Sequence, residues 1–106
     1  MYTQVQNAVI ELVNQILNHV QRDNSDPSEW YAGITDDAER RLFTDHRVKK
    51  ESECHYIYLP VPDKVTADLV EGHLTDPVFG RMDGGPGGES NGRFVYAYKK
   101  QPYTSQ

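Results

Sequence analysis

Apolar residues recur over the start of the chain at Val5, Val9, Leu12, Val13, Ile16, Leu17 and Val20. That i, i+3, i+4, i+7 spacing puts them on one stripe of a helix, with Gln4, Asn7, Glu11, Asn14, Gln15 and Asn18 opposite. A stripe of this length has to be covered. A chain of 106 residues has room for one core. The helix, read over Tyr2–Gln21, therefore packs on the chain's own core or builds a homodimer through the N-terminal helix, and the core is the expectation.

What the helix packs against follows from the next segments. The polar run Asp23–Glu29 around Pro27 ends it. Trp30–Ile34 reads as a short strand. Asp36 with Glu39 three residues on resembles a capping box opening a helix to about Asp45. His55–Val61 alternates and is rich in Tyr and Ile, so it reads as a strand, with Pro60 and Pro62 marking an edge or an exit. Asp63 caps a further helix that Asp76-Pro77 stops near Thr75. Val78–Asn91 is irregular and glycine-rich. It lacks the Gly-Lys-Ser/Thr ending of a phosphate cradle, and reads as a surface loop with the makings of a lid. Arg93–Lys99 is a last strand with Phe94, Tyr96 and Tyr98 on one face and Val95 and Ala97 on the other. The tail after Pro102 is expected to fray. The fold expected is one α/β (α+β) domain over 1–106: an N-terminal helix (1–22), a core with a small three-stranded mixed sheet flanked by helices (30–99), and a tail (100–106). A mixed sheet is expected because one connection is a short helical crossover.

Net charge is −5, which disfavours non-specific nucleic-acid binding. Its distribution is uneven. Asp23–Glu39 carries six acids and no base, a run suited to a protein partner or to mimicry of nucleic acid. Arg40, Arg41, Arg47, Lys49 and Lys50 then form a basic stretch beside it. The single cysteine, Cys54, excludes an internal disulfide and fits a reducing, cytoplasmic setting. No apolar run approaches a membrane span, and no secretory leader is read at the start. Cys54-His55 has no partners at zinc-ligand spacing, so the spacing predicts no zinc site.

The stretch from Trp30 to Leu42, "WYAGITDDAERRL", places Tyr31, Gly33 and Thr35 on a strand and turn, and Arg41 ten residues after Tyr31. A strand (Tyr56–Val61) and a helix carrying Glu71 follow. This series resembles the second half of the GIY-YIG nuclease motif, over Trp30–Thr75. The family's opening Gly-Ile-Tyr strand has no counterpart before Trp30, and Tyr96 or Tyr98 is the substitute for its tyrosine. The resemblance implies metal-dependent phosphodiester hydrolysis of nucleic acid. Arg41 would clamp phosphate and Glu71 would hold one Mg²⁺ or Mn²⁺. Tyr31 would orient or deprotonate the water, and His46 or His73 would help proton transfer. Arg40, Arg47, Lys49 and Lys50 would contact the nucleic acid, and the family's late asparagine would fall at Asn91. The alternative is a catalytically inactive GIY-YIG-like binding or inhibitor module that acts through protein–protein contacts.

Overall fold

The computed structural model describes residues 4–84 and 92–106. Helix α1 spans Gln4–Arg22 and is followed by a 3₁₀ turn at Pro27–Glu29. Strand β1 covers Trp30–Thr35. A π-helical segment, Arg40–Asp45, and a second 3₁₀ turn, Glu53–His55, lead to strand β2 at Tyr56–Pro60. Helix α2 runs from Lys64 to Thr75, and strand β3 from Phe94 to Lys99. No helix of the described residues is long and apolar enough to cross a membrane.

The strand order is β1-β3-β2, with β3 antiparallel to both neighbours. Tyr96 stands opposite Gly33 of β1 and Tyr58 of β2. This corrects the mixed sheet expected from the helical crossover. The crossover exists, and the strands it joins, β1 and β2, run in the same direction. They do not pair, because β3 lies between them. Among the described residues, parallel pairing is confined to a bridge between Tyr31 and Asp83 on the outer edge of β1. There Ala32 N–H donates to Asp83 O and Asp83 N–H to Trp30 O, each at 2.8 Å.

The alternation of each strand separates two cores. Trp30, Ala32, Ile34, Val95 and Ala97 face α1 and α2, where they meet Val9, Val13, Ile16, Val20, Ala67, Val70 and Leu74. From Val9 to Val20 the α1 stripe is thus packed within its own chain. The opposite face carries Tyr31, Tyr56, Tyr58, Tyr96 and Tyr98 and is covered by Leu42, Phe43 and Val48.

Helix α2 starts where its cap dictates. Asp63 accepts a hydrogen bond from Thr66 N–H at 2.8 Å, and this bond holds the Asp63 carboxyl below the usual carboxylate range. The capping box appears at a different place from the one expected. Asp26 accepts from Ser28 N–H and its own N–H donates to Glu29, around the Pro27 turn. After β1 the cap is Asp37, not Asp36: Arg40 N–H donates to Asp37 Oδ1 at 3.1 Å, while Asp37 N–H donates to Thr35 Oγ1 at 3.0 Å.

Replacing Asp63 by Ala should cost about 0.5–2 kcal/mol, read as a lower urea midpoint at unchanged slope.

Candidate functional site

Tyr31, Tyr96 and Tyr98 share the second face of the sheet because they occupy alternate positions on adjacent strands. The segment after β1 adds His46 to them. His46 N–H donates to Arg41 O at 2.9 Å, a five-residue step that makes this turn wider than an α-helix. Leu42 and His46 point at the sheet and are buried. The His46 ring lies 4.8 Å from the Tyr98 ring, 5.2 Å from Tyr31 and 5.4 Å from Tyr96.

The hydrogen bonds fix the tautomer of His46. Nδ1 is 2.7 Å from the backbone carbonyl of Ser105, which only accepts, so Nδ1 carries the proton. Nε2 is then the acceptor for the Tyr96 hydroxyl at 2.7 Å. Tyr98 Oη sits 3.1 Å from Nδ1 and donates to Gln106 Oε1 at 3.0 Å. Ser105 N–H also donates to His46 O at 2.8 Å. The C-terminal tail, expected to fray, is therefore docked on this cluster. Burial, and after it the positive charge of Arg41, lowers the His46 pKa against the opposing Ser105 bond and Asp45. Burial likewise raises the Tyr98 hydroxyl, with Tyr31 and Tyr96 adding to it.

Gly33 explains how Tyr96 reaches His46. A Cβ on residue 33 would lie 2.4 Å from the Tyr96 hydroxyl and 2.6 Å from Cζ. The Tyr96 ring crosses β1 directly over this glycine. The Tyr-x-Gly pattern thus has a packing role here.

The remaining expected site residues divide. Arg41 is half-buried at the rim of the cluster, 3.4 Å from Asp45. Arg40 reaches Asp36 at 3.8 Å. Arg47 is exposed in a left-handed conformation (φ 62°). Lys49 lies over the Tyr103 ring at 4.4 Å and Lys50 over Phe43 at 5.7 Å. Glu71 is not brought to the tyrosines. It sits on α2, whose packing is with the aliphatic face of the sheet. Burial, then the neighbouring Asp68, raises its pKa, while Lys64 opposes. Lys64 itself pairs with Asp68 at 2.6 Å. Tyr96 and Tyr98 are buried, and His46 is only 5% exposed, so the centre of the cluster is closed over by the described residues. His73 packs edge-on against Phe79, ring centroids 5.7 Å apart, on the α2 side. The glycine-rich run 85–91 and Asn91 lie outside the described residues.

The acid run is largely engaged within the chain. Asp23 pairs with Lys99 and His55, Asp26 with Arg81 and Asp36 with Arg40, while Asp37 and Glu29 serve as capping groups. Two further features escaped the sequence reading. Asp23, Cys54 and His55, distant in sequence, place one ligand atom each within 4.8 Å of one another. An apolar groove of about 320 Å³, lined by Gln6, Val9, Ile10, Leu69 and His73, runs between α1 and α2. Ile10 and Leu69 are exposed, each just off its helix's buried stripe.

Searches of known protein families, curated proteins and solved structures find no match to this chain.

Two outcomes follow from the cluster. Gly33→Ala should displace Tyr96 and destabilise by about 1–3 kcal/mol in denaturant unfolding. The pH dependence has a definite sign. Above about pH 6.5 the His46 ring is neutral whether the chain is folded or not. Below that, the unfolded chain takes up a proton that the folded chain, with its lowered pKa, does not. Stability should fall as pH drops from about 6.5 to the folded value and then level off. His46→Gln should remove this part of the slope in unfolding curves collected across pH.

Proposed function

We propose that this chain is a protein-binding module with no catalysis of its own, which takes an apolar side chain of its partner into the groove between α1 and α2. The observation that carries the reading is the arrangement of exposed apolar side chains. Ile10 is 42% exposed, Leu69 44% and Phe79 59%, and Val65 and Val78 are more exposed still. They gather on α1, α2 and the turn after α2. Of these, Ile10 and Leu69 line one groove, and exposed apolar surface gathered in this way marks interaction sites on folded domains. Phe79 also lines, with Ile10, Val13 and His73, a smaller recess beside the groove.

The turn that presents Val78 and Phe79 is firmly built. Asp76 Oδ1 accepts from Val78 N–H at 2.8 Å and from Phe79 N–H at 2.9 Å. Gly80 lets the chain pass against the end of α2, where a Cβ would fall 2.3 Å from Leu74 O. Ordering these side chains on binding therefore costs little backbone entropy. Supporting the same reading, the His46–tyrosine cluster is closed by the C-terminal tail, and Glu71 stands on the other layer. A phosphodiesterase of the GIY-YIG kind would need Tyr31, Arg41, Glu71 and a second tyrosine around one phosphate.

A photo-crosslinking residue placed at Ile10 should yield an adduct of discrete mass in cells. Leu69→Asp should abolish the adduct and weaken binding of the recovered partner about ten- to hundredfold, the worth of one buried apolar side chain. Wild type should leave single- and double-stranded DNA and RNA intact with Mg²⁺ or Mn²⁺. Metal-dependent cleavage that disappears in both Arg41→Ala and Glu71→Ala would replace this reading with the nuclease one.

A further inference from the structure

The end of α1 turns sharply at Asn24, which adopts φ 55°. Just before this turn, the Asp23 side chain meets the 3₁₀ turn Glu53–His55 and the end of β3, and α1 itself packs against that 3₁₀ turn. Three elements meet at one carboxylate. His55 Nε2 lies 3.5 Å from Asp23 Oδ1, Lys99 Nζ lies 3.2 Å from Oδ2, and the Ser25 hydroxyl donates to the same Oδ2. Cys54, next to His55, is exposed.

The His55 ring is left without a good partner. Its Nδ1 is buried with no hydrogen bond, and Nε2 stands at ion-pair distance from Asp23 rather than at the usual 2.7–3.2 Å or so of an N–H···O bond. The ring thus stands beside a carboxylate and a thiol, with its Nδ1 unpaired among the described residues.

From this juxtaposition we infer that Asp23, Cys54 and His55 form a binding site for a divalent transition metal of the Zn²⁺ class. The donors are one carboxylate oxygen, one thiolate and one imidazole. Sulfur with nitrogen selects a borderline ion such as Zn²⁺ or Co²⁺ over Mg²⁺ or Ca²⁺, which prefer oxygen. Ligand distances of about 2.0–2.3 Å put tetrahedral donors roughly 3.3–3.8 Å apart. The three atoms here lie within 4.8 Å, so rotation of the exposed Cys54 side chain and the His55 ring closes the difference. Binding releases the thiol proton of Cys54 to solvent. Thiolate and carboxylate together supply two negative charges. Lys99 offsets one of them while holding the second oxygen of Asp23, as outer-shell groups orient metal carboxylates. Three protein ligands leave the fourth position to water on the exposed side. The ion would join the end of α1 to the turn before β2, so it acts as a clip on the fold.

Titration of the metal-free chain with Co²⁺ should saturate at one ion per chain. A thiolate-to-cobalt charge-transfer band should appear, disappear on adding Zn²⁺, and accompany a rise in the melting temperature. Cys54→Ser should abolish the band. Asp23→Asn and His55→Gln should each weaken Co²⁺ by more than about tenfold, a loss that even outer-shell changes reach. His55→Gln leaves the Asp23–Lys99 pair intact and carries the test if Asp23→Asn loosens the fold. Absence of the band overturns the assignment. So does one ion per two chains, or an affinity that Asp23→Asn and His55→Gln leave unchanged, since either result describes a loose surface thiol.

Discussion

The Tyr96 hydroxyl reaches the Nε2 of His46 only because β1 has no side chain at Gly33 to block the ring. Through that bond the segment Arg40–Val48 is held on the aromatic face of the sheet. The other nitrogen of the same imidazole holds Ser105, and with it the end of the chain. One neutral histidine therefore connects the sheet, the layer above it and the tail. Buried polar links of this kind stabilise only when every member is satisfied, and here both ring nitrogens are. Burial penalises the protonated, charged ring, and this sets the sign of the acid response.

Much of this fold is legible in local patterns. The α1 stripe, the Asp63 cap, the Asp76-Pro77 stop and the two-sided alternation of Phe94–Lys99 each depend on residues within a few positions of one another. The order of strands does not. Nothing local to Tyr56–Pro60 or Trp30–Thr35 says that β3 will lie between them. The π-helical segment was also out of reach, because apolar spacing does not distinguish a wide turn from an α-helical one over so few residues. The docking of Ser105 depends on a partner 59 positions away, and a short polar tail carries no apolar signal.

The candidate sites divide along the same line. Tyr31, His46, Tyr96 and Tyr98 were singled out as chemical groups and do meet, but as a closed cluster. Arg41 stands at its rim, and Glu71 belongs to the other layer. The acids of Asp23–Glu39 were legible as a run, yet their geometry assigns most of them to caps and ion pairs. Linear spacing excluded a metal at Cys54-His55. It had no means of finding Asp23, which lies far earlier in the sequence, just past the end of α1. The exposed face of Ile10, Leu69 and Phe79 was hidden for a simpler reason: it joins residues of two helices and a turn, and spacing along one helix does not show what a second element brings beside it.

The position of β3 also determines how the chain can acquire its structure. Neighbouring strands in sequence form no hairpin here. β1 and β2 both wait for a partner synthesised after them, and the inner edge of β1 stays unpaired while more than half the chain is made. Sheet formation is thus a late, largely concerted event with long loops to close, the kind of topology that folds slowly for its size. Until β3 arrives, α1 and α2 can collapse on each other, but their apolar stripes lack the surface that shields them, and that interval is when the chain most needs protection from association with its own copies.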